Sequence, residues 1–150
     1  MKGTYSIAIQ PSPPVVGRVA EMKKALREAI GTFYHSIHAK AHISLFNFEM
    51  AESQYPVTST SFKNQIAGLA PFPIVFDGID HFHHTDDAFT CYVRLRNESV
   101  QAIIKCCQEM KRELPHVVKR CVSLPHMSIG RKLTRADNKL KYHGQLSLFV

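Results

Sequence analysis

Two short stretches decide the fold of this chain: Ala41-His42-Ile43-Ser44-Leu45 and Pro125-His126-Met127-Ser128-Ile129. In each stretch a histidine and a serine stand two residues apart, with one apolar residue between them and another after them. Positions i and i+2 of a β-strand share one face, about 7 Å apart. We therefore predict strands over 41–48 and 122–129 that present the histidine and serine on one face and bury the apolar residues.

Working outward from these motifs, the apolar pattern predicts a mixed α+β chain. Apolar residues at helical spacing predict a helix from Pro13 to Ile30, a shorter one over 59–69, and a long one that Asn97 caps and Pro115 ends. The other predicted strands are 5–9, the hairpin of 72–82 with 88–95 around the polar loop 83–87, and a last strand over 145–150.

The chain also indicates an internal repeat. A shift of 84 residues, the separation of His42 and His126, places one motif on the other and strand 5–9 on 89–93. The same shift aligns the apolar positions of the two long helices, which by itself is weak because amphipathic helices align easily. Agreement of strand, helix and motif at one offset favours a single bilobal domain over 1–150, with two related halves facing each other across a cleft.

If both strands line that cleft, it holds two imidazoles and two hydroxyls. One neutral histidine can take a proton from water or a hydroxyl while the other, protonated, donates to the leaving oxygen. Imidazole suits both roles because its unperturbed pKa is about 6.5. His42 and His126 are thus the candidate catalytic residues, and Ser44 and Ser128 can hold phosphate oxygens as charge builds. Neither a metal nor a cofactor is expected, and which histidine is the base stays open.

Further candidates are less clear from sequence. Phe46 falls on the predicted face of His42, where it can stack on a base or be a buried aromatic. Arg131 can assist a phosphate, although strict alternation turns it away from His126. The histidine- and aspartate-rich stretch 81–87 suggests a metal site, but adjacent strand residues point apart, which favours a polar loop.

Composition narrows the class of protein. The chain has 150 residues, of which 45% are hydrophobic and 21% charged, as expected of a folded domain. We expect no membrane span and no secretory signal. The net charge of +7 attracts phosphates, so RNA or a nucleotide is a plausible partner.

Four cysteines without a CxxC pair predict reduced thiols in a cytoplasmic protein. No GxxxxGK[ST] or GxGxxG motif supports ATP-driven or dinucleotide chemistry.

Three features of the chain resemble the 2H phosphoesterases. They are the paired motifs, the opening Tyr5-Ser6-Ile7-Ala8-Ile9-Gln10-Pro11, and the Gly130-Arg131 that follows the second motif. That superfamily includes 2′-5′ RNA ligase-like proteins and 2′,3′-cyclic nucleotide phosphodiesterases. The resemblance implies antiparallel sheets backed by helices around a central groove, and metal-independent phosphodiester chemistry by the two histidines with the two serines as phosphate ligands. Both motifs carry Ser where the family more often has Thr, so the methyl group that restricts χ1 is lost.

We therefore expect hydrolysis of a 2′,3′-cyclic phosphate end, or a related phosphodiester, of RNA or a nucleotide, with 2′-5′ ligation as the reverse reaction. The alternative is a non-catalytic RNA- or nucleotide-binding module on the same fold; retention of both histidines favours the enzyme. A structural or interaction protein would need an exposed apolar face, which the sequence does not identify. We expect a cytoplasmic monomer.

Overall fold

A computed structural model describes residues 1–85 and 87–134. Its elements in chain order are β1 (Lys2–Ile9), α1 (Pro13–Ile30), β2 (Ile43–Ala51), a 3₁₀ turn (Glu52–Gln54), α2 (Tyr55–Ala67), β3 (Phe76–His83), β4 (Ala88–Leu95), α3 (Asn97–Glu113) and β5 (Met127–Thr134). The strands form one five-stranded antiparallel sheet in the order β1-β2-β5-β4-β3. The predicted mixture of helices and antiparallel strands is confirmed.

Local chemistry sets the bounds of α1. Pro13 stands in its first turn, where a missing N–H costs nothing. Gly31 ends the helix with a φ of 71°, a left-handed conformation that lets its N–H bond the carbonyl of Arg27. Both ends agree with the sequence prediction.

Two predicted bounds need correction. Asn97 is the first residue of α3 rather than its cap, because Arg96 occupies the N-cap position. The strand predicted over 122–129 begins only at Met127, since Pro125 has no N–H for a ladder and the N–H of Val122 bonds the carbonyl of Leu45 instead. The strand predicted over 145–150 lies outside the described residues.

The chain divides into two compact units, each made of three separate segments. Unit 1 contains Met1–Ile9, Ser44–Val75 and Arg96–Pro125, and unit 2 contains Gln10–Ile43, Phe76–Leu95 and the chain from His126 onward. In unit 1, α3 buries Cys107, whose Sγ lies 3.9 Å from the carbonyl oxygen of Leu45 in β2. In unit 2, α1 packs against β5.

The 84-residue offset also relates the elements that the structure defines. Shifted by 84, α1 covers 97–114 against 97–113 for α3, and β2 covers 127–135 against 127–134 for β5. β1 shifts to 86–93, against 88–95 for β4. The offset found in the sequence therefore matches the bounds of two pairs of elements to within one residue, and those of β1 and β4 to within two.

Candidate active site

The first motif leads directly into β2. His42 precedes the first residue of the strand, and it is exposed together with Ser44, whereas Ile43 and Leu45 are buried. Nδ1 of His42 lies 2.8 Å from the carbonyl oxygen of Lys40. A carbonyl only accepts, so Nδ1 carries the proton of this hydrogen bond. In the neutral ring, this contact leaves the lone pair on Nε2, which is the form that a general base requires.

The second motif leads into β5 in the same way. His126 precedes the strand and is half-buried, as is Ser128, while Met127 and Ile129 are buried. The His126 ring stands edge-on to two aromatic rings, with centroids 5.2 Å from Phe82 and 5.3 Å from Tyr92. These contacts restrict the orientation of the imidazole.

Strand register would bring the two histidines together within unit 2. Ile43 and Met127 are antiparallel partners, and both are 1% exposed. His42 and Ser128 are the next residues on either side of this pair, so continuation of the register past the start of β2 would set them opposite each other on the other face. His126 would then be a diagonal neighbour of His42, a relationship that corresponds to about 7–8 Å between backbones. This register would thus bring two imidazoles and a hydroxyl to one face, and Ser44 is exposed two residues after His42.

The structure buries Phe46, which strict alternation would have exposed beside His42. Leu45 and Phe46 are both buried, so the alternation of β2 reverses between them. Phe46 is 5% exposed, and its ring lies 6.1 Å from that of Phe48 and 5.8 Å from that of Phe62. The prediction that Phe46 shares a face with His42 is wrong, because this reversal turns it into the core of unit 1.

The alternation of β5 also reverses, 84 residues after the reversal in β2. There, the consecutive residues Ile129 and Gly130 are both buried. Tyr92 pairs with Ser128 whereas the preceding Cys91 pairs with Gly130, so β5 has one more residue here than β4. Such an extra residue is a β-bulge, a feature that redirects the side chains beyond it.

Arg131 lies in a second irregularity of the pairing between β5 and β4. Cys91 pairs with Gly130 and Phe89 with Leu133, so β5 again has one more residue than β4, and Lys132 has a φ of 56°. Arg131 and Lys132 are both exposed, so strict alternation does not determine the face of Arg131. Its backbone N–H also donates to Oγ of Ser36 at 2.9 Å. A Cβ on Gly130 would lie 2.8 Å from Cδ2 of Leu26, so close helix packing favours glycine at this bulge.

Phe82 and Tyr92 are site residues that sequence reasoning missed. Tyr92 is 6% exposed and pairs with both Asp80 and Ser128, so its strand face is that of the second motif. Burial raises the pKa of Tyr92 above its usual value. The predicted hairpin contained both aromatics, but only the ring contacts in the folded chain show that they flank His126.

The histidine-rich stretch is divided between β3 and the turn that follows it. Nε2 of His84 lies 2.7 Å from Oγ1 of Thr90, and Nδ1 of His81 lies 3.6 Å from a carboxylate oxygen of Asp80. Among residues 1–85 and 87–134, no three histidine, cysteine or acidic side chains form a group able to hold a metal ion.

Two of the cysteines are poor nucleophiles. All four are free thiols, and Cys91 and Cys107 are buried. Burial raises the pKa of each of these two thiols to about 12, so their thiolates are scarce at neutral pH. Neither buried cysteine is therefore a good candidate nucleophile.

Paired imidazoles beside a hydroxyl on one face of an antiparallel sheet form a candidate acid–base site. The sequence profile of the 2′-5′ RNA ligase superfamily matches residues 11–147, and the chain belongs to this superfamily, part of the 2H phosphoesterase superfamily. Its members are generally enzymes and act on RNA or nucleotide substrates. Searches of curated proteins and of solved structures give no match. No helix in the described part of the chain is long and apolar enough to cross a membrane.

Proposed function

We propose that this chain is a metal-independent phosphoesterase that opens 2′,3′-cyclic phosphate ends, or cleaves a related phosphodiester, of RNA or nucleotides. The observation that supports the proposal is the pairing of Ile43 with Met127, because the same register, continued by one residue, would make His42 and His126 diagonal neighbours on one face. A backbone separation of about 7–8 Å leaves room for a phosphoryl group between two imidazoles.

The hydrogen bond of His42 favours it as the base in hydrolysis. Nε2 of His42 takes a proton from water as the water oxygen bonds to phosphorus. The bond from phosphorus to the ribose oxygen breaks, and protonated His126 gives its proton to that oxygen. In 2′-5′ ligation a 5′-hydroxyl takes the place of water: His42 accepts its proton as the hydroxyl oxygen bonds to phosphorus, and His126 again protonates the ribose oxygen that leaves.

Hydroxyl and guanidinium groups support the developing charge. Ser128 follows Met127, the partner of Ile43, and Arg131 is an exposed residue of the same strand three positions later. Ser44 supplies a second hydroxyl from β2. An arginine can bind two phosphate oxygens at once, which orients the phosphate as well as neutralising it. The net charge of +7 favours encounter with RNA.

The internal repeat fits the proposal that His42 and His126 are equivalent residues. The segment Gln10–Ile43 of unit 2, shifted by 84 residues, becomes 94–127, close to Arg96–Pro125 of unit 1. Ile43 shifts onto its own partner, Met127. We infer one domain of two related halves, each supplying one histidine. The reduced thiols fit a cytoplasmic enzyme.

The test uses the four nucleoside 2′,3′-cyclic monophosphates and a short RNA with a 2′,3′-cyclic end, each incubated in EDTA with wild type, His42→Ala or His126→Ala. His38→Ala is the matched control, because His38 is an exposed histidine in the same segment. Phosphorus NMR identifies the product isomer. We expect turnover that both active-site variants lose and the control keeps.

Other outcomes count against the proposal. Salt-sensitive binding of RNA without turnover would favour the non-catalytic binding module. Activity that EDTA abolishes and zinc restores would favour metal chemistry. Neither turnover nor binding would show that the substrate class is wrong.

A further inference from the structure

A buried lysine lies behind the segment that carries His42. Lys23 is on the packed face of α1 and is only 4% exposed. Its ammonium donates to the carbonyl oxygen of Ser36 at 3.0 Å and to that of Ala39 at 2.6 Å. Burial lowers the pKa of Lys23. Burying an ammonium costs free energy unless acceptors replace its water, so these two carbonyls explain why the lysine is tolerated.

The carbonyls belong to segment 31–42, which has no helix or strand of its own. Two further contacts hold the same segment. The Tyr34 hydroxyl lies 3.0 Å from the carbonyl oxygen of Lys23 and 3.2 Å from that of Ile129, and Oγ of Ser36 accepts from the N–H of Arg131. The segment is thus attached to both α1 and β5 of unit 2.

The fold does not by itself require a lysine at this position. The residue that corresponds to Lys23 under the 84-residue shift is Cys107, which is 0% exposed on α3. A small, weakly polar side chain therefore satisfies helix packing there. What Lys23 adds is a positive group that binds the backbone leading to the first motif.

We infer that Lys23 is a positioning residue for His42. Its ammonium fixes the Ala39 carbonyl, and the next carbonyl along the chain, that of Lys40, accepts from Nδ1 of His42. Fixing one peptide unit restrains its neighbour, so Lys23 keeps the His42 ring in the tautomer with a free Nε2. The expected effect of Lys23 on catalysis rests on the proposed function, whereas its effect on the tautomer of His42 does not.

The test compares Lys23→Met with Lys24→Met, since Lys24 is the next residue of α1 but is exposed. Long-range ¹H–¹⁵N NMR reports which ring nitrogen of His42 is protonated, with His42→Ala assigning the signals. We expect an Nδ1–H tautomer in wild type and in Lys24→Met, and a tautomer mixture in Lys23→Met. We also expect kcat to fall about 10- to 100-fold in Lys23→Met, with KM changed far less, because reacting groups are misplaced.

Circular dichroism and urea unfolding establish that each variant is folded. If Lys23→Met does not fold, Lys23→Arg replaces it: the guanidinium keeps the charge but presents its donors in a planar fork, a geometry different from that of the ammonium. Wild-type His42 tautomer and kcat in the folded variant would overturn the inference. If the His42 tautomer changes in Lys23→Met but the wild type shows no turnover, the positioning role of Lys23 is supported and the proposed function is rejected.

Discussion

Ile43 of β2 and Met127 of β5 are backbone partners, and each directly follows the histidine of its motif. Both side chains are buried on one face, so the histidines are confined to the other. A one-residue slip of β5 against β2 would turn His126 to the buried face, at the cost of exposing Met127 and Ile129. Burial of this pair is therefore what fixes the side on which the imidazoles stand.

Each histidine should be necessary for turnover. Replacing His42 or His126 by Ala removes one proton-transfer step, so we expect kcat to fall about 10²- to 10⁴-fold in either variant. The double variant should lose little more than the worse single variant, because the two groups act as a unit. Steady-state kinetics on a cyclic nucleotide measures this, and fully multiplicative losses would contradict it.

The pH dependence of kcat/KM should separate the two roles. We expect a bell-shaped profile for wild type, because one imidazole must be neutral and the other protonated. In the pH profile of the residual activity of His42→Ala, the limb that reports the base should be missing. In the profile of His126→Ala, the limb that reports the acid should be missing. An unchanged bell in either variant would assign that limb to another group.

The requirement for glycine at position 130, in the bulge of β5, can be tested by measuring the free energy of unfolding. In Gly130→Ala the new Cβ would meet Leu26 at 2.8 Å, so we expect a loss of about 1–3 kcal/mol in the free energy of unfolding. Gly17→Ala is the control: Gly17 lies in α1 with no atom within 4 Å of an added Cβ. That variant should gain up to about 1 kcal/mol, as alanine favours a helix. Urea unfolding measures both, and equal effects would argue against the tight packing.

Stability should fall in alkaline solution because of a buried thiol. The pKa of Cys91 rises from 9.0 to about 12 on folding, so between these values the unfolded chain loses a proton that the folded chain keeps. The free energy of unfolding then decreases by up to about 1.4 kcal/mol per pH unit from this group. The lowered pKa of Lys23 acts in the opposite direction. Urea unfolding from pH 7 to 11 should give a shallower fall in Cys91→Ala, and identical slopes would contradict this assignment.

The parts of the site that sequence predicts are those set by local pattern. Alternation around Ile43 places His42 and Ser44 correctly, and apolar spacing finds both long helices. The face predicted for Phe46 is wrong because this residue lies just beyond a reversal of alternation in β2. The face of Arg131 does not follow from alternation, because β5 has extra residues relative to β4. An extra residue is defined only against a partner strand, and the periodicity of a single sequence carries no information about that partner.

The interleaved segments of the two units affect how the chain can be divided. A cut in the turn after His84 would separate α1 from β5, which belong to one unit, and β2 from α3, which belong to the other. Neither fragment would contain a complete core, so neither half can be an independent folding domain now, even if both descend from one ancestral sequence. Such halves are obliged to evolve together, and a split version of the protein should be active only when both fragments are supplied.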